Sequence, residues 1–179
     1  MTHITLAVTG SISAYKAADI TSQLTKLGFE VKVLMTPSAQ KFITPLTLQV
    51  LSKNPVGLEV MVEDDPQRIE HIDIGKETDL FLVAPASANS IAKLAMGLAD
   101  NMVTSTALAL PQRTKKLLAP AMNTKMLDHP ATQRNLKLLQ DYGYQIIQPR
   151  DAVLACGDKG SGALATVKTI VEAVKENCL

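Results

Sequence analysis

A short run rich in apolar and β-branched residues covers Ile4 to Val8 and stops at Thr9-Gly10. From Ser11 to Leu24 the apolar positions recur at helical spacing, up to Gly28, so the segment predicts a strand, a tight turn and a helix. Val31 to Met35 predicts the second strand. Thr36-Pro37-Ser38 then opens one helical stretch and Pro45 to Leu51 another, proline being at home in a first helical turn. Leu80 to Ala84 is apolar at every position, as expected of a strand covered by helices on both faces of a parallel sheet. The pattern repeats with Pro85-Ala-Ser-Ala-Asn leading into a helix at Ile91-Ala-Lys-Leu-Ala. A strand follows over Lys115 to Ala119, then a helix over Ala131 to Tyr142, a strand over Tyr144 to Ile147 and a closing helix over Val167 to Val174. Strands alternating with helices along the whole chain predict one α/β domain over residues 1–179. It is three-layered and Rossmann-like (flavodoxin-like), with an open, mostly parallel sheet and helices on both faces. Two stretches fall outside the pattern and read as loops: Val56 to Thr78, and Arg150 to Thr166, which holds Gly157, Gly160 and Gly162.

Composition narrows the function. With 18 Lys+Arg against 17 Asp+Glu the formal net charge is +1, so there is no global field to draw in nucleic acid or an anionic membrane. Three Tyr, three Phe and no Trp are too few for the stacking platforms of a single-strand binder. The chain has no apolar run of about 18 residues and no basic segment followed by a cleavable apolar stretch, which leads to the expectation of a cytoplasmic protein without membrane contact. Cys156 and Cys178 alone can form neither a disulfide framework nor a thiolate metal cage, so no metal is expected. Cys178, one residue from the end, is expected on a frayed terminus.

In an open α/β sheet, ligands bind beyond the carboxyl ends of the strands, where successive loops converge. Gly10-Ser11-Ile12-Ser13 follows the first strand but carries a single glycine, which fits neither a dinucleotide fingerprint nor a P-loop. What remains is a hydroxyl-rich turn at a helix N-terminus. By itself it is either an ordinary N-cap or a site for one phosphate. The turns Thr36-Pro37-Ser38 and Ser87-Ala88-Asn89-Ser90 repeat the feature after the next strands, and three such turns on one rim predict a phosphorylated cofactor. Asn123 in Pro120-Ala-Met-Asn-Thr-Lys-Met126 reads equally as a turn residue, and His71 in Arg68-Ile-Glu-His-Ile-Asp equally as a surface residue. Cys156, with three glycines in the next six residues, reads as a thiol on a mobile flap.

Together, Gly10-Ser11-Ile12, His71, Pro85-Ala-Ser-Ala-Asn89, Pro120-Ala-Met-Asn-Thr-Lys-Met126 and Ala155-Cys-Gly-Asp-Lys-Gly-Ser-Gly162 resemble, in order and spacing, the homo-oligomeric flavin-containing cysteine decarboxylases. The resemblance covers nearly the whole chain. It departs at Leu127, where the family motif often has Trp after Met, and in the single glycine of the first turn. The resemblance implies FMN held by Gly10, Ser11, Ile12, Ser13, Thr36, Ser38, Ser87, Ala88, Asn89, Ser90 and Ala121. It implies His71 as base, Cys156 as proton donor, and Asn123 and Met126 as substrate contacts. The implied reaction is decarboxylation of phosphopantothenoylcysteine on the way to coenzyme A, in a trimer or a trimer-based dodecamer. In many bacteria the domain is fused to a ligase, and a chain ending at Leu179 is expected to be the stand-alone form. The chemistry is coherent: loss of CO2 from a cysteine carboxylate needs an electron sink, which a flavin supplies by taking a hydride from the carbon bearing sulfur. A thiol of ordinary pKa, about 8.5, is only a few per cent ionised at pH 7, so a base such as an imidazole assists. The rival readings are a peptidyl-cysteine decarboxylase, which the Ala155-Cys-Gly-Asp motif disfavours, a flavin prenyltransferase, and a non-catalytic FMN-binding regulatory subunit.

Overall fold

The computed structural model describes residues 1–63 and 65–178. Five strands, β1 (His3–Val8), β2 (Glu30–Met35), β3 (Leu80–Ala86), β4 (Lys115–Pro120) and β5 (Tyr144–Ile146), pair in parallel in the order β2-β1-β3-β4-β5. Side-chain alternation divides the apolar residues between two layers. Ile4, Leu6 and Val8 of β1, with Leu80, Leu82 and Ala84 of β3, face a core that also contains residues of α1 (Ala17–Lys26), α2 (Pro45–Ser52) and α8 (Val167–Cys178). Phe81 and Val83 face the opposite core, shared with α3 (Glu70–Glu77), α4 (Ala88–Met96), α5 (Met102–Leu108) and α7 (Pro130–Asp141). A strand buried on both faces has no polar side, which is why Leu80 to Ala84 reads as an unbroken apolar run. Each such Leu or Phe contributes about 1.5–3 kcal/mol by burial.

The α/β class and every predicted strand are found, with β3 and β4 each running slightly further than expected. Four expectations are corrected. Val56 to Thr78 is not all loop, because Glu70–Glu77 forms α3, whose acidic first turn suits the helix dipole. Gly75 lets α3 approach α5 closely: a Cβ there would stand 3.0 Å from the Ala109 carbonyl oxygen. Thr36-Pro37-Ser38 opens only a single 3-10 turn, Ala39–Lys41. Arg150 to Thr166 contains an antiparallel hairpin, β6 (Arg150–Val153) with β7 (Lys159–Ala163). The helix expected at Ile91-Ala-Lys-Leu-Ala is found as α4, and α5 follows it. Gly97 ends α4 at φ +69°, and Asn101 starts α5 with a reciprocal capping box to Thr104.

Cys178 is the last correction, for it lies within α8 and its side chain packs against the core. Burial, and then the negative charge of Asp79, pushes its thiol above the ordinary value. Cys156 is exposed. An aromatic disulfide reagent at pH 8 should therefore titrate one thiol per native chain rapidly and the second slowly, or only after denaturation. Equal rates for both would contradict the placement of Cys178.

Candidate active site at the β1–β3 switch point

The strand order reverses direction at β1, whose neighbours are β2 and β3, and the turns leaving β1 and β3 diverge there. Thr9 fixes the two turns relative to each other. It is wholly buried, its Oγ1 donates to the Pro85 carbonyl at 2.7 Å, and the Ser87 N–H donates back to Oγ1 at 2.8 Å. Gly10 follows where the chain passes Ser38: a Cβ would come within 2.5 Å of the Ser38 Cβ. Ser11 caps the 3-10 turn Ile12–Lys16 by accepting from Ser13 N at 3.3 Å, and Ser87 caps α4 by accepting from Ser90 N at 3.2 Å. Both serines are therefore N-caps, and both also line one groove of about 520 Å³.

The opposite wall is built by the segment after β4 and the hairpin. Asn123 caps α6 (Thr124–Asp128), its Oδ1 accepting from Lys125 N at 2.8 Å, which turns Nδ2 outward. That Nδ2 donates to Cys156 Sγ at 3.2 Å, and Sγ in turn donates to Asp158 Oδ2 at 3.5 Å. Two close approaches hold the hairpin against this segment. Met122 N donates to the Gly162 carbonyl at 2.9 Å, and the Thr124 hydroxyl donates to the Ser161 carbonyl. Gly162 sits at φ +133° with no room for a Cβ against the Met122 carbonyl, and a Cβ on Gly160 would stand 2.5 Å from Thr124 Oγ1.

Of the expected site residues, Gly10, Ser11, Ile12, Ser13, Ser87, Ala88, Ala121, Asn123, Met126 and Cys156 line this groove. Thr36, Ser38, Asn89, Ser90 and His71 do not. Thr36 is buried and its hydroxyl accepts from Ala39 N at 3.2 Å, a local cap. His71 stands in the first turn of α3 and lines a separate groove of about 410 Å³ with Met61, Ser105 and Ala109. Its Nδ1 is buried and has no hydrogen-bond partner among the described residues. Leu127 is buried in the core rather than in the groove, so the departure from Met-Trp does not alter the groove wall; Met126 is half exposed on it. Sequence reasoning missed Thr9, whose only signal is a hydroxyl at the end of an apolar strand. It also missed Lys16, and Asp158 as the acceptor of the Cys156 S–H.

The chain matches the family model described as Flavoprotein over residues 1–179. It is 64% identical over 173 residues to a probable phosphopantothenoylcysteine decarboxylase of Streptococcus mutans, covering 97% of each chain. It is 45% identical to the coenzyme A biosynthesis bifunctional protein CoaBC of Bacillus subtilis over 98% of this chain, but spans only 43% of that longer relative. Among solved structures it is similar to a cysteine-to-serine variant of PPC decarboxylase complexed with pantothenoylaminoethenethiol, with a TM-score of 0.90, 31% identity, and coverage of 98% and 97% of the two chains. It is also similar to the FMN binding protein AtHal3, with a TM-score of 0.86, 31% identity, and coverage of 98% and 95%.

The contact between hairpin and Asn123 segment depends on Gly162. Gly162→Ala adds a strained φ and a clash with the Met122 carbonyl, a cost of about 1–3 kcal/mol falling mainly on hairpin docking. Limited trypsin digestion should then cut at Arg150 or Lys159 faster than in the parent, with α1 and α8 unaffected. Unchanged proteolysis would show that this contact does not hold the hairpin.

Proposed function

The chain belongs to the flavoprotein family, and from that premise we propose that it decarboxylates 4′-phospho-N-pantothenoylcysteine to 4′-phosphopantetheine, with FMN as cofactor, in coenzyme A biosynthesis. The observation that carries the reading is the Asn123–Cys156 hydrogen bond facing the hydroxyl-lined groove at the switch point. The groove suits a flavin mononucleotide: it is about 520 Å³, its floor at Gly10 lacks a side chain, and two capped helical turns open onto it. Gly10 to Ser13, Ser87, Ala88 and Ala121, which line the groove, are the residues proposed to hold it, while Thr36, Ser38, Asn89 and Ser90, expected as contacts, do not line it and would act only by shaping the turns behind it. When bound, FMN would supply the electron sink, a reversible acceptor of the hydride on the carbon next to sulfur.

The chain's own groups do the rest. His71 removes the substrate thiol proton. Cys156 protonates the carbon of the enethiolate left by CO2, and Asn123 Nδ2, already donating to Sγ, stabilises the charge that develops on that sulfur. The relative complexed with pantothenoylaminoethenethiol as a cysteine-to-serine variant supports the donor role. Residues 1–179 act as one cytoplasmic decarboxylase domain; among the described residues no helix is long and apolar enough to cross a membrane. His71 and Cys156 line different grooves of one chain, which supports a homo-oligomer, a trimer or a trimer-based dodecamer, whose sites are shared between subunits.

Turnover of phosphopantothenoylcysteine by the FMN-loaded protein tests the proposal, and a protein that neither binds FMN nor releases CO2 refutes it. In a single turnover, Cys156→Ser should release CO2 but stop at the enethiol, about 2 Da lighter than phosphopantetheine by mass spectrometry. Phosphopantetheine formed at the parent rate would remove the donor role.

The shared site has its own test. Co-expressed His71→Asn and Cys156→Ser chains, each unable alone to form phosphopantetheine, should recover measurable phosphopantetheine formation in mixed oligomers, since some sites then combine an intact His71 with an intact Cys156. No recovery in mixed oligomers verified by mass would place both residues in the same subunit's site.

A further inference from the structure

Two cations line the same groove as Asn123 and Cys156, one on each side of it. Lys16 ends the 3-10 turn that follows β1, and Arg150 opens β6 at the root of the hairpin. Arg150 is pinned through Nε, which donates to the Leu164 carbonyl at 3.1 Å, leaving its terminal nitrogens free for a second partner. Lys16 is half-buried, with Nζ 5.9 Å from the centre of the Tyr15 ring. Among the described residues neither cation has an ion-pair partner; all five ion pairs lie elsewhere. Burial, and then the charge of Arg150, pulls the Lys16 ammonium below its ordinary value. The other cations of this region, Lys125 and Lys159, are exposed and do not line the groove.

Like charges held on two ordered elements, with no carboxylate between them, raise the free energy of the empty groove and lower that of one containing an anion. The guanidinium supplies a planar fork and the ammonium a point charge, a combination suited to a phosphomonoester. The hydroxyl turns of Ser11, Ser13 and Ser87 supply the groove with N–H and O–H donors but no cation; among the described lining residues the cations are Lys16 and Arg150.

We infer that Lys16 and Arg150 form a clamp for the phosphate end of the substrate and set the preference for a phosphorylated cysteine conjugate over an unphosphorylated one. The identity of the ligand rests on the decarboxylase reading; the presence of an anion site in this groove does not. A peptidyl cysteine carries no phosphate for the clamp, so the pair also separates the two substrate classes.

The test is calorimetric titration of the flavin-loaded protein with 4′-phosphopantetheine and with pantetheine, which differ only in the phosphate and lack the cysteine carboxylate. The parent should prefer the phosphorylated compound about ten- to a hundredfold, the range of one or two charge-assisted hydrogen bonds. In Lys16→Met and Arg150→Met that preference should fall to within about threefold of unity, and Arg150→Lys should keep part of it. Flavin absorbance, read on the same samples, should show cofactor retained. Equal binding of the two compounds by the parent overturns the inference whatever the variants do. So does loss of flavin from Lys16→Met and Arg150→Met with the phosphopantetheine preference intact, which assigns the pair to the cofactor. Turnover of phosphopantothenoylcysteine by the parent is scored separately: its absence removes the decarboxylase reading, while the titration still decides whether the phosphate is clamped.

Discussion

The groove exists because the hydroxyl of one buried threonine is used twice. Thr9 donates to Pro85 and accepts from Ser87, so the turn after β1 and the turn after β3 are fixed to each other where the sheet order reverses. Without that hydroxyl the Ser87 N–H at the foot of the groove would lack a partner, at about 1–3 kcal/mol, and the Pro85 carbonyl would keep only the Thr9 N–H at 3.3 Å. Both walls are registered to this junction. Gly10, next in sequence, allows the approach of Ser38, and Ser87 can cap α4 because its own N–H already points at Thr9. On the far side Ala121 N donates to the Ala86 carbonyl at 3.0 Å, which ties the Asn123 segment to the end of β3.

The second wall is a different kind of structure. The hairpin adds little to the core; Val153 is 64% exposed, and the turn carrying Cys156 is exposed throughout. Its position comes from backbone contacts at Gly160 and Gly162 and from Arg150 at its root. Few buried apolar contacts and exposed hydrogen bonds mark a segment of low local stability. An anion bridging Lys16 and Arg150 would join this hairpin to the turn after β1. Substrate binding at one end of the groove and placement of the thiol at the other are then parts of one docking equilibrium.

How much of this could be read from sequence varies with the physics of each part. The strands were legible because burial on both faces leaves no polar residue, as at Leu80 to Ala84. α3 was not, because Glu70, Asp73, Lys76 and Glu77 leave it few apolar positions and its hold on α5 comes from Gly75, an absence of side chain. The groove residues were legible as a set through their motifs, but motif order carries no information about layers, so the separation of His71 from Cys156 was not visible. Lys16 was hidden for a simpler reason: a lysine after a predicted turn reads as solvated, and only the fold shows that Arg150, far away in sequence, lines the same groove.

His71 also bears on the proposed assembly. Among the described residues its buried Nδ1 has no partner, and such an unpaired group costs about 1–3 kcal/mol. The groove it lines is bordered by Met61, 91% exposed, and Leu108, 60% exposed, with Met96 and Leu98 exposed near the α4–α5 junction. Apolar side chains on this scale are characteristic of a surface covered by another chain. A second subunit bringing its own groove against this face would bury those residues and give the imidazole a partner of matching chemistry, the thiol of a bound substrate. The same contact would then provide both assembly energy and the base, so a subunit that failed to assemble would keep the proton donor and lose the group that starts the reaction.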